Sequence, residues 1–147
     1  MKLFQLTRAG TLLAINLLFL MLWGFAGLSK VLGGIPSWFG DKFGKTFLAA
    51  FPGLTVSFWL LTLAELLALG LSVAALLRGE FLRLRPPACL NAGLVWSLFV
   101  FVMLGFGQWL TKEFNGAFQI VAYFGVTLIA LQYVGKAFEA TGEGAPR

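Results

Sequence analysis

Glu65 lies at the middle of an apolar run from Leu54 to Leu77, where a carboxylate is an expensive residue to place. A charged side chain at bilayer depth costs roughly 2.5 kcal/mol or more on insertion scales, so it faces other helices or a water-filled cavity. It marks either a site or a helix seam. With no basic residue placed at its level, Glu65 is expected to sit protonated at neutral pH. It would then bond Asn16 or Thr127 and fix helix register, or serve a proton or a lipid-soluble ligand.

What the chain lacks narrows the chemistry. It has no histidine and one cysteine, Cys89, so it can form no internal disulfide, no CxxC redox pair and no imidazole site for haem, copper or zinc. No redox cofactor is expected to be intrinsic, and any such centre would belong to a partner. Cys89, just after Arg85, Pro86 and Pro87, reads as a reduced structural thiol. No phosphate-cradling glycine loop and no nucleophile beside a base is present.

Four apolar runs must position Glu65: Leu12 to Leu28, Leu54 to Leu77, Ala88 to Leu110 and Phe118 to Phe138. Each is about long enough to cross a hydrocarbon core of ~30 Å as a helix. Composition agrees, at 59% hydrophobic and 12% charged with a mean hydropathy of +0.89, which no soluble domain of 147 residues could clothe in polar surface. The expected fold is all-α, a membrane four-helix bundle in one domain over 1–147, with spans at about 11–32, 52–77, 88–110 and 115–138. Lys2 and Arg8 before the first run resemble the start of a signal peptide. The run is long, however, and no small-x-small site follows, so cleavage is not expected.

Charge sets the orientation. Lys2, Arg8, Arg78, Arg83, Arg85, Lys136 and Arg147 fall on one side, against Lys30, Lys42, Lys45 and Lys112 on the other. Both termini are expected to be cytoplasmic, in a bacterial or archaeal cytoplasmic membrane. The net charge of +5 is then a topology signal and an attraction to anionic lipid, and nucleic acid is not an expected partner.

The longest loop is not a linker. Phe39, Phe43, Phe47 and Phe51 recur every four residues with Asp41, Lys42 and Lys45 between them, the pattern of an amphipathic helix in the interface plane. An extracytoplasmic helix is expected at about 37–50, with Ser37 as N-cap and Pro52–Gly53 as the break before the second span.

Depth can be ruled along each helix at 1.5 Å per residue. Taking Leu32 and Pro52 as level at one face puts Asn16 and Glu65 roughly 24 and 20 Å below it. Ser97 lies about 15 Å up from Pro87, and Thr127 about 18 Å below Asn115. A mid-membrane polar layer of Asn16, Glu65, Ser97 and Thr127 is expected, with Tyr123 one turn above Thr127. Asn16, Trp23, Gly27 and Lys30 share one helical stripe, and Phe58, Thr62, Glu65, Leu69 and Ser72 another, so both should face the interior. The same ruler separates Lys30 from Glu65 by roughly 17 Å in depth, which places Lys30 at the outer mouth rather than on the carboxylate. Trp38, Trp59, Trp96 and Trp109 read as lipid-facing belt and packing residues.

The segment Leu18-Phe19-Leu20 leading to Gly24-Phe25-Ala26-Gly27-Leu28-Ser29-Lys30, a loop of about twenty residues, and Ala64-Glu65-Leu66-Leu67-Ala68-Leu69-Gly70 resemble the DoxX/DoxD-like membrane proteins. The resemblance implies a four-helix bundle in which Lys30 and Glu65 match recurring positions. It also implies a redox association: some relatives are membrane subunits of thiosulfate:quinone oxidoreductase, others partners of thiol and superoxide defence enzymes.

Three functions compete. The first expectation is an accessory subunit of a larger redox or energy-transducing membrane complex, with other membrane subunits and lipids as partners and no catalysis by the chain alone. The alternative is a quinone-handling subunit in which Glu65, with Tyr123 or Lys30, bonds a quinone while a partner supplies electrons. A small-solute transporter is the weaker third, since no span is broken by proline and no internal repeat is visible.

Overall fold

A computed structural model describes residues 2–142, with side chains over 3–138. The Lys2 side chain and Arg147, both used above for orientation, lie outside the described residues. Five helices follow in order: α1 (Lys2–Gly33), α2 (Ser37–Phe43), α3 (Leu54–Leu77), α4 (Ala88–Leu110) and α5 (Phe114–Gly142). Two short 3-10 turns, Phe47–Ala49 and Glu80–Leu82, complete the connections. Four of the helices are long and apolar enough to cross a membrane, so the chain is an all-α integral membrane protein.

The helices are bounded by residues with local reasons to stop them. Gly53, at a φ of 100° that side chains avoid, follows Pro52 and opens α3. Gly79, left-handed at φ 60°, turns the chain out of α3. Pro86 and Pro87 prevent helix before Ala88 and leave Pro87 as the N-cap of α4.

Pro87 has no side-chain acceptor, and Glu80 takes over that task. Its carboxylate accepts the amides of Cys89 at 3.0 Å and Leu90 at 2.9 Å, satisfying two of the three N–H groups the first turn of α4 leaves free, since Pro87 has none and Asn91 bonds the Pro87 carbonyl. A neutral amide presents one acceptor oxygen in place of two and no charge to the helix dipole. Glu80→Gln is expected to cost about 1 kcal/mol of stability and to speed amide hydrogen exchange at Cys89 and Leu90 but not at Val100. Unchanged exchange at those two amides would contradict this role.

The bundle is a chain of pairings. α1 packs on α3, α3 on α4 and α4 on α5, while α1 and α5 scarcely meet. Small residues allow the close approaches: a Cβ on Gly27 would stand 3.0 Å from Leu66, one on Gly105 would stand 3.3 Å from Ile120, and one on Gly93 3.4 Å from Leu71. Where α1 and α5 part, a lateral cleft of about 440 Å³ remains between Phe19, Leu22, Phe101, Tyr123 and Thr127.

The aromatic loop is helical only in its first half. α2 starts at Ser37 with Pro36 as its N-cap, so Ser37 is the first helical residue and not the cap. It ends at Gly44, and Thr46 is extended before the 3-10 turn. Two glycines in five residues, Gly40 and Gly44, make a continuous helix over 37–50 unfavourable, by about 1 kcal/mol each relative to alanine. Phe39 is buried against Phe43 and Phe58, with ring centroids 4.7 and 5.3 Å away; Phe47 reaches Phe106 at 6.0 Å, and Phe51 is exposed. α2 therefore covers the end of the bundle where α1 passes to α3.

Candidate functional site

Both interior stripes face inward, and Glu65 is 1% exposed. Its partner is Lys30. The ammonium donates to both carboxylate oxygens, at 2.5 and 2.6 Å, and the Lys30 side chain is 24% exposed. This overturns the 17 Å separation and, with it, the reason for expecting a neutral acid. The ruler took Leu32 and Pro52 as level. Gly27 instead lies opposite Leu66 and Gly24 opposite Leu69, which slides α3 by about nine residues, roughly 14 Å, toward the loop end. Lys30 then stands about two residues, roughly 3 Å, from the level of Glu65. Side chains lean toward the N-terminus of their own helix. On these antiparallel helices Lys30 leans down and Glu65 leans up, so the two converge.

The expected polar layer separates into distinct contacts. Ser97 accepts the Trp23 indole N–H at 2.8 Å while donating to the Gly93 carbonyl at 2.7 Å. Thr127 donates to the Tyr123 carbonyl at 2.8 Å and lines the α1–α5 cleft with Tyr123. Neither shares a hydrogen bond with Glu65 among the described residues, so the expected bond between Glu65 and Thr127 does not form, and Tyr123, expected beside Glu65 at a quinone, lines the α1–α5 cleft instead. Asn16 is displaced furthest. The register that brings Lys30 to Glu65 sets Asn16 level with the last turn of α3, about twelve residues or roughly 18 Å from the carboxylate. Its carboxamide is buried and makes no hydrogen bond to a described residue. Trp96, expected as a lipid-facing belt or packing residue, packs between helices: half-buried, it donates to the Ala64 carbonyl at 2.9 Å, one residue from Glu65. That bond ties α4 to the backbone that carries the acid.

Lys30 also borders a cavity of about 160 Å³ under α2, together with Lys42, Gln108, Trp38, Phe39 and Phe58. Lys42 donates to Oε1 of Gln108 at 3.2 Å, which leaves the Gln108 amide N–H groups as donors. A second cavity, of about 400 Å³, shares Phe39, Phe43, Leu61, Met103 and Gly107 with the first and continues between Leu48, Leu60, Val102 and Phe106. The two are neighbours, and side by side they present an end with two ammonium groups and an amide and an end that is aliphatic and aromatic except for the buried Ser57 hydroxyl. Chemically they suit an amphiphile with a hydrogen-bond-accepting head and an apolar tail.

Sequence reading missed Lys42, Gln108 and Phe58 as site residues. Lys42 had a signal, as a cation on the buried-aromatic helix, whereas Gln108 at the end of the third span carried none. No group of three or more metal-ligating side chains stands together among the described residues. Comparison with protein-family models, curated proteins and solved structures finds no match.

Proposed function

We propose that this chain is an accessory subunit of a larger redox or energy-transducing membrane complex, and that its contribution is a site for a lipid-soluble quinone-type molecule. The observation that carries the reading is the cavity under α2, polar at Lys30, Lys42 and Gln108 and apolar beyond Phe43. A quinone head is flat, uncharged and bears carbonyl acceptors; Lys42 and Gln108 offer donors to it, and Phe39 and Phe58 offer ring faces. Glu65 holds Lys30 at the cavity wall and neutralises its charge, which favours a neutral head. With no histidine and a single cysteine, electrons are left to a partner subunit. The DoxX/DoxD-like motifs around Gly24 to Lys30 and Ala64 to Gly70 support the same association. The membrane in this reading is a bacterial or archaeal cytoplasmic membrane, and the charge distribution supports both termini on its cytoplasmic side with α2 on the opposite face.

Quenching of tryptophan fluorescence by a short-chain benzoquinone tests the site, since Trp38 lines it. Saturable quenching is expected in the purified chain, weakened about tenfold in Lys42→Leu/Gln108→Leu, because a hydrogen bond to a charged donor contributes about 1.5–3 kcal/mol. Quenching that is linear, or equal in the variant, would overturn the quinone reading. Mass spectrometry of the gently solubilised native assembly tests the other half: a stoichiometric redox subunit is expected, and a chain that isolates alone would refute it.

A further inference from the structure

Arg8 is 4% exposed, and no described carboxylate pairs with it. Its guanidinium donates one hydrogen bond to the Arg83 carbonyl at 3.0 Å and lies 4.9 Å over the Phe138 ring, while Nε makes no hydrogen bond. The one buried carboxylate near this end, Glu80, has both oxygens engaged by the Cys89 and Leu90 amides. A guanidinium held from water with so few acceptors calls for an anion, and its fork of donors matches phosphate oxygens. A cavity and more positive charge stand beside it. The Phe138 ring under Arg8 also lines a cavity of about 260 Å³ between the start of α4 and the end of α5, with Pro86, Asn91 and Gly135. Arg8 meets that cavity at the Phe138 ring and is not itself among its lining residues. Arg85 directly precedes Pro86 and Lys136 directly follows Gly135, both exposed, so positive charge flanks the cavity in a chain whose four long helices are apolar enough to lie in lipid.

We propose that this end of the bundle is a phosphate site, gripped by Arg8 with Arg85 and Lys136 at its rim, whose ligand is the headgroup of an anionic phospholipid. Nothing in it depends on the quinone reading, which concerns the opposite end.

The full chain, purified in neutral detergent, is titrated with phosphatidylglycerol, phosphatidylcholine or inorganic phosphate, and retained lipid is read by native mass spectrometry. At least a tenfold preference for phosphatidylglycerol over phosphatidylcholine is expected, persisting at high salt because Arg8 is shielded from counterions. Arg8→Gln should abolish it while leaving quinone quenching near Trp38 intact. Should Arg8→Gln fail to fold, Arg85→Gln/Lys136→Gln keeps the buried arginine and should lower retention several-fold. Displacement of the lipid by millimolar inorganic phosphate would support the site and assign it to free phosphate. Equal retention of both lipids, a preference erased by salt and untouched in Arg8→Gln, or full retention in the rim variant would overturn the proposal.

Discussion

Glu65→Gln is expected to destabilise the bundle by about 3 kcal/mol, the low end of the range for breaking a buried ion pair, because Lys30 keeps a quarter of its side chain exposed. The variant leaves an ammonium facing an amide that offers a single acceptor oxygen, in a seam otherwise lined by Gly27, Leu66 and Phe58. Replacing both partners removes the unpaired charge, so Lys30→Met/Glu65→Leu should recover most of the loss. Unfolding in mixed micelles of rising SDS fraction measures all three. A single substitution as stable as the parent would show that the pair contributes nothing.

Gly27→Val is the second large effect. A methyl at Gly27 would stand 3.0 Å from Cδ2 of Leu66, close enough that Leu66 must shift, and 3.5 Å from the Leu66 backbone nitrogen, which cannot shift without the helix. Alanine asks only the leucine side chain to give and should cost about 1 kcal/mol; valine adds two γ carbons against the backbone and should cost about 3 kcal/mol. Because Lys30 is one turn from Gly27 on the same stripe, forcing α1 and α3 apart also loosens the ion pair. Gly27→Val and Glu65→Gln should therefore combine to less than the sum of their separate effects. Gly10→Val, at a glycine with nothing within 4 Å of its missing Cβ, provides the comparison for propensity alone. Equal losses at Gly10 and Gly27 would show that close packing at Gly27 is not the cause.

The four membrane helices were legible because a span is written as uninterrupted apolar residues, and Pro52, Pro86 and Pro87 punctuate them. The inward stripes were legible for a similar reason, since Asn16, Trp23, Glu65 and Ser72 can share faces only at helical spacing. What the sequence did not carry was the axial offset between neighbours. That offset depends on how Gly27 and Gly24 seat against Leu66 and Leu69, a matter of shape that leaves no periodic trace. An error of about nine residues there separated Lys30 from Glu65, joined Asn16 to a layer it does not occupy and hid the cavity under α2. The two segments that resemble DoxX/DoxD-like proteins nevertheless contained both members of the pair, Lys30 at the end of one and Glu65 near the start of the other. In α2 the aromatic repeat was legible, and the breaks at Gly44 and Thr46 were outweighed by that repeat in the expectation of a single helix. Glu80 was invisible for a different reason: it caps a helix eight residues further on, across a chain reversal that sequence spacing does not announce.

The central claim is that Lys30 and Glu65 meet across the α1–α3 seam and together hold the wall of the cavity under α2. A double-mutant cycle over Lys30→Gln, Glu65→Gln and the pair together tests it most directly, with unfolding free energy as the readout. A coupling of about 1–3 kcal/mol is predicted, as for residues in direct charged contact. Additivity within about 0.5 kcal/mol, the behaviour of sites that do not touch, would contradict it.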